Sequence, residues 1–171
     1  VKKFKKIKGV ILTEALISVA MLIIASVATT TVITNSVNAT KLSKNYLIAE
    51  NYLTEAIEVT ETVRNSNWLI RPRATDACWL VPDPELLLNI NSPCILVSIN
   101  SKYKIKFDSD HWRLEKVAND NFSLDPNPLF ERKIIFSEIN SSSATFEVIV
   151  SWTDGAKPFS ISRKHILYNY K

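Results

Sequence analysis

From Val10 to Ile33 the chain runs for 24 residues with a single charged side chain, Glu14. A membrane-spanning helix needs about 20 predominantly apolar residues, so this run is long enough to cross a bilayer. Five lysines precede it: Lys2, Lys3, Lys5, Lys6 and Lys8. Positive charge beside a span stays on the cytoplasmic side, which sends everything after Ile33 out of the cytoplasm. The lysines also account for the basic pI of 9.0. Without them 16 Lys and Arg stand against 17 Asp and Glu. The body of the chain is near neutral, and the usual inference from a basic chain to nucleic acid loses its footing.

The N-terminus admits three readings. Ser26-Val27-Ala28 is an acceptable small-residue cleavage site, which would make the run a secretory signal and release a domain after Ala28. The apolar run continues past that site, however, and a helical pattern follows without a break. An uncleaved signal anchor fits the hydropathy equally well. Neither explains Glu14, since an ionisable side chain inside a span costs on the order of 2.5–3.5 kcal/mol and usually has a partner. A Lys-rich leader ending in Gly9, followed by an apolar helix with Glu at its fifth position, resembles the class III signal of type IV prepilins. Glu14-Ala15-Leu16 is similar to the start of some minor pilins and secretion pseudopilins.

That resemblance implies cleavage between Gly9 and Val10 by a prepilin peptidase and N-methylation of Val10. The other implied partners are pilin subunits, met through the N-terminal helix, and an inner-membrane assembly platform. Membrane lipid would surround the helix before assembly. Cleavage converts the Val10 nitrogen from a neutral amide to an α-amine, whose ordinary pKa is about 7.7–8.0. Methylation keeps that positive charge. It can then pair with Glu14 of a neighbouring subunit, and in a low-dielectric bundle such a pairing favours one stagger. Val10 stands where Phe is commonest in the family, Ile11 where Thr or Ser is usual, and Thr31 where major pilins often carry Pro. These departures point to a minor pilin or pseudopilin rather than an abundant structural one.

Beyond Asn35 the chain turns polar but keeps helical spacing. Leu42, Tyr46, Ala49, Leu53, Ala56, Ile57, Thr60 and Val63 recur every three or four residues. Glu55 and Glu58 are expected on the solvent side. One helix from Val10 to about Asn67 would span roughly 85 Å at 1.5 Å per residue. A coiled-coil stalk is the alternative, but the stripe mixes Tyr, Ala and Thr with Leu and Ile and suits packing on a sheet better than a Leu/Ile seam. Thr29, Thr30 and Thr31 form a β-branched stretch of weak helix formers, a place where the helix could loosen locally in a filament.

The organisation expected is therefore a basic leader over 1–9, an apolar helical half over 10–33, an amphipathic half over 34–67 and an extracytoplasmic antiparallel β domain over 68–171. In this last part Pro72, Pro82, Pro84 and Pro93 punctuate an irregular linker. Strand-like runs follow at Ile95–Ile99, Lys102–Phe107, His111–Val117, Phe130–Phe136, Thr145–Trp152 and Phe159–Tyr168. Asp154-Gly155 marks a reversal between the last two. The fold class is α+β: one long helix packed on an antiparallel sheet, the architecture of pilins. The tail strands, with Arg132 to Ile135, Val148 to Trp152 and Arg163 to Tyr168, also resemble the sheet of minor pilins.

Cys78 and Cys94 are the only cysteines. An even count in an extracytoplasmic domain favours a disulfide between them. No catalytic constellation emerges, and no enzymatic activity or cofactor is expected. His111 and His165 are far apart in sequence, and Ser141 to Ser143 reads as a turn rather than a nucleophile elbow. With Gly9 and Gly155 alone, no Gly-rich nucleotide loop can be written. Asp108, Asp110, Asp120 and Asp125, with Asn119 and Asn121, raise the question of calcium. The EF-hand spacing and its Gly are missing, so ordinary turns are expected and no metal. Lys102, Lys104 and Lys106 share one strand face, with Arg113 and Lys116 as possible neighbours. Guarding an edge strand explains the lysines better than DNA does.

Overall fold

The structure is a computed structural model and describes residues 10–70, 78–88, 94–108, 110–118, 122–124 and 127–169. Its elements are helix α1 (Val10–Ile70), a single 3-10 turn (Pro84–Leu87) and strands β1 (Lys102–Asp108), β2 (His111–Lys116), β3 (Phe130–Ile139), β4 (Ser143–Asp154) and β5 (Lys157–Tyr168). Helix α1 is continuous over 61 residues. It lacks Gly and Pro throughout, and it ends two residues before Pro72, which disfavours the α conformation for Arg71. The helix therefore runs three residues past the expected end at Asn67. Thr29, Thr30 and Thr31 are helical in the single chain, and each hydroxyl donates to the carbonyl four residues back.

Two compact units divide the chain, residues 1–45 and residues 46–171. In the first, the large apolar side chains from Leu12 to Ile33 are 57–69% exposed. Apolar side chains on all sides of one helix require lipid or other helices around them.

The second unit begins at Tyr46 and holds the sheet, whose order is β2-β1-β3-β4-β5 with every pairing antiparallel. Strict alternation makes one face of the sheet apolar. On β4, Ala144, Phe146, Val148, Val150 and Trp152 are all buried, as the period of two requires. Against this face lies a narrow helical stripe of Ala49, Leu53, Ala56, Thr60, Val63 and Asn67, each no more than 1% exposed. Its small members, Ala49 and Ala56, are fully buried in the same core as the inward residues of the sheet. The Thr60 hydroxyl donates to the Ala56 carbonyl at 2.7 Å and so enters the core satisfied. Aromatic rings fill the wider gap beside the stripe: Tyr46 meets Trp152 edge-on at 5.0 Å, and Trp152 stacks on Phe159 at 5.6 Å.

Ion pairs flank the stripe on both sides. On one flank Glu50 pairs with Arg163 and Glu61 with His165, both on β5. On the other, Glu55 meets Arg132 of β3 at 2.6 Å. Arg132 also donates to the Tyr52 carbonyl at 3.1 Å. This corrects the solvent-side reading of Glu55. It stands at the helix flank because Arg132 is 6% exposed and needs a counter-charge there. Glu58, in contrast, is exposed.

Gly155, at φ +63°, opens the two-residue loop that joins β4 to β5, the conformation that favours Gly. Ile95–Ile99 is not a strand. Its backbone is spent on the neighbouring loop, with the Val97 N–H donating to Leu80 O at 3.2 Å, and Ile95 and Ile99 are exposed. The lysine-bearing strand β1 is not the sheet's edge, because β2 lies outside it. Strands β1 and β3 pair only at Lys102–Ile135 and Tyr103–Ile134. Beyond that point residues 122–124 bond to β3 instead, with the Arg132 N–H donating to Phe122 O at 3.0 Å.

Full burial of the stripe predicts that added volume is felt there and not on the exposed faces of the helix. Ala56→Leu should lower stability of the sheet-bearing unit by about 1–3 kcal/mol through overpacking. Ala39→Leu, at an exposed helical position, should leave it within about 0.5 kcal/mol. Denaturant unfolding followed by tryptophan fluorescence distinguishes the two.

Candidate functional site

Two regions carry chemistry: the start of α1 and the disulfide loop with β2. At the start of α1, Val10 is the first helical residue, while Gly9 and the lysines lie outside the described residues. Glu14 is exposed on the helix one turn later. From Ser18 to Thr40 seven Ser and Thr hydroxyls donate to the carbonyl four residues earlier, among them Ser18 to Glu14 O at 2.9 Å and Thr34 to Thr30 O at 2.9 Å. Each such bond satisfies a hydroxyl without water, as a hydrocarbon environment demands. Glu14 is left as the one ionisable side chain between Val10 and Ile33. The helix is long and apolar enough to cross a membrane.

The disulfide loop is built around the Cys78–Cys94 bond, whose Cα atoms stand 5.2 Å apart. Cys78, Trp79, Leu80 and Val81 are all buried. Asn67, on the last turns of α1, donates to Trp79 O at 3.3 Å and to Val81 O at 3.0 Å. The loop is thereby tied to the helix by side-chain amide bonds as well as by burial. It then reaches β2, where the Leu114 N–H donates to Pro82 O at 2.8 Å. That contact covers the outer edge of β2.

Past Pro82 the loop brings Asp83 and Glu85 to His111 at the start of β2. The Asp83 carboxylate caps the 3-10 turn by accepting from the Glu85 N–H at 3.0 Å. Asp83 Oδ1 lies 3.3 Å from His111 Nε2; on the other side of the ring, Glu85 Oε1 and Asp110 Oδ1 lie 3.6 and 3.1 Å from Nδ1. Arg113 contacts Asp83 Oδ2 at 3.4 Å and Asp108 Oδ2 at 2.9 Å. The Asp110 carboxylate beside the ring, helped by Glu85 and Asp83, holds the His111 pKa above its ordinary 6.5 against the opposing effect of burial.

This grouping was not foreseen from the sequence. Asp108 and Asp110 drew notice only with Asp120, Asn119, Asn121 and Asp125, which lie outside the described residues. Asp83 and Glu85 read as linker residues. The one available signal was their position inside the loop that the disulfide would close. The basic stretch is interleaved with acids: Lys104 pairs with Glu115 at 3.2 Å, and Arg113 faces Asp83 and Asp108.

Comparison with known proteins finds no matching family model, no matching curated protein and no matching solved structure. What the fold defines is thus architectural: a long N-terminal helix, apolar in its first half, continuing into an antiparallel sheet domain, an arrangement consistent with that of pilins.

The bond between Cys78 and Cys94 closes a loop whose stabilisation is about 3 kcal/mol in the chain-entropy model. A Cys78→Ser, Cys94→Ser double variant should lose close to that amount in denaturant unfolding. Unreduced protein should show no free thiol to a thiol reagent under denaturing conditions; two reactive sulfhydryls would contradict the bond.

Proposed function

We propose that the chain is a type IV prepilin-like subunit, a minor pilin or pseudopilin. It is inserted in the cytoplasmic membrane with its N-terminus inside and its sheet domain outside. It is cut between Gly9 and Val10, methylated at Val10, and built into or used to prime a helical filament. Its role is structural and assembly-related, with no catalysis of its own. The observation that carries this reading is Glu14: a lone carboxylate, just after a Lys-rich segment ending in Gly9, on a span whose hydroxyls are otherwise satisfied internally. A plain anchor gains nothing from that carboxylate and bears its insertion cost. A filament subunit uses it, because the α-amine released by cleavage supplies the missing counter-charge in the neighbouring subunit.

The partners follow from the mechanism: the prepilin peptidase, other subunits through the apolar half of α1, an inner-membrane assembly platform, and lipid before assembly. The competing reading is a signal-anchored extracytoplasmic binding domain that forms no filament. Glu14 separates the two. In cells carrying the assembly machinery, Glu14→Ala should leave the protein inserted in the membrane but reduce its recovery in sheared filaments by at least about tenfold, the equivalent of 1.4 kcal/mol or more. Unchanged recovery would remove the pairing, and absence of the unaltered chain from any filament fraction would favour the anchored domain.

A further inference from the structure

Three Asn-x-Ser/Thr triplets stand in the chain: Asn38-Ala39-Thr40, Asn121-Phe122-Ser123 and Asn140-Ser141-Ser142. Such a triplet, with any residue but Pro in the middle, is the acceptor signal for N-glycosylation, a modification of surface loops outside the cytoplasm. A transferase must take in the Asn amide together with the hydroxyl two residues on. The fold treats the three triplets differently. The first lies inside α1, and its Thr40 hydroxyl is spent on the Ser36 carbonyl at 2.8 Å. In the second, Asn121 lies outside the described residues, but Phe122 is only 4% exposed and Ser123 is bridged to Glu131. Taking in that triplet would pull Phe122 out of its buried place.

The third forms the tip of the β3–β4 hairpin, where Asn140, Ser141 and Ser142 are all exposed. Asn140 Oδ1 accepts from the N–H groups of Ser142 and Ser143 at 3.0 and 2.7 Å, and from their hydroxyls at 3.0 and 3.2 Å. The two backbone donors settle which end of the carboxamide is oxygen. The other end, Nδ2, keeps both hydrogens and donates to nothing among the described residues. The acceptor nitrogen and the Ser142 hydroxyl therefore sit together on one exposed turn. Asn169 braces that turn through main-chain carbonyls, its N–H to Ser142 O at 2.8 Å and its Nδ2 to Ser141 O at 2.9 Å, and leaves the Asn140 side chain alone. Glu138, also exposed, stands two residues before the acceptor, the acidic position that bacterial transferases add to the signal. A group attached at Nδ2 displaces no core side chain, since burial begins at Ala144 on one strand and Phe136 on the other.

We propose that Asn140 is an N-glycosylation acceptor, modified by a membrane oligosaccharyltransferase from a polyprenyl-diphosphate-linked glycan. Asn140 Nδ2 forms a bond to the anomeric carbon of the first sugar. The bond from that carbon to the diphosphate oxygen breaks, and the polyprenyl diphosphate leaves with its electron pair. The nitrogen releases one proton, and nothing is oxidised or reduced. The product keeps Oδ1, so the hydrogen bonds that shape the turn stay available. The assignment rests on the reading that places the sheet domain outside the cytoplasm, and it holds whether or not the chain enters a filament.

The test expresses the full chain in bacterial cells that carry an oligosaccharyltransferase and a polyprenyl-diphosphate glycan of known mass. Chain extracted from the membranes is read by intact mass, and its proteolytic peptides are sequenced. The expected result is a species heavier by one glycan, carried on the peptide containing Asn140 and absent when the transferase is inactive. Asn140→Gln and Ser142→Ala should each abolish it, because each destroys the triplet. Ser142→Thr, which restores the hydroxyl, and Asn38→Gln should both retain it. Circular dichroism checks that the variants, all at exposed positions, remain folded. Alkaline phosphatase fused after Lys171, active only outside the cytoplasm, reports the orientation separately. Active phosphatase with no glycan on Asn140, or a glycan on Asn38 or Asn121 in its place, would overturn the acceptor. Inactive phosphatase would overturn the outside orientation and the acceptor with it.

Discussion

The sheet-bearing unit depends on the burial of one stripe of α1 against the apolar face of the sheet. Ala49, Ala56 and Thr60 are completely buried along one line of the helix, and the inward residues of β4 share that core. Everything else at this contact is arranged to hold that line in place. Aromatic rings fill the space beside it, and carboxylates at its flanks meet cations of β3 and β5. The two flanks differ in weight. Glu50–Arg163 and Glu61–His165 are half exposed and belong to the class of pairs worth about 0–1 kcal/mol. Arg132 is buried, and for it Glu55 and the Tyr52 carbonyl are a requirement of burial.

Between Leu12 and Ile33 the same helix meets another requirement. Its surface is apolar on every side, its hydroxyls turn inward to carbonyls, and its one carboxylate has a place in a hydrocarbon environment only with a counter-charge. The proposal of a filament subunit rests on that difference between the two halves. A helix that only anchors a domain has no use for Glu14. A helix that must find one register among its copies does.

Much of this was legible in the sequence because it is periodic or local. The stripe from Ala49 to Val63, the alternation of Phe146 to Trp152, the Asp154-Gly155 reversal and the Cys78–Cys94 bond are each written in short-range spacing or residue count. Ile95–Ile99 misled for a physical reason. Its β-branched residues signal a strand, but a strand needs a partner, and the backbone of Val97 goes to Leu80 in the loop stapled by the disulfide. Glu55 misled because helical periodicity assigns a flank residue to solvent until the opposing strand is known to bear a buried arginine. The Asp83, Glu85 and His111 grouping was hidden altogether, since a linker and a strand supply it and only the folded loop brings them together.

The central claim is that the N-terminus of the mature helix is made by cleavage. Intact mass and N-terminal peptide sequencing of protein taken from membranes of cells carrying a prepilin peptidase test it most directly. A chain beginning at N-methylated Val10 is the predicted result. A chain beginning at Thr29, or one retaining the lysines and Gly9, would contradict it.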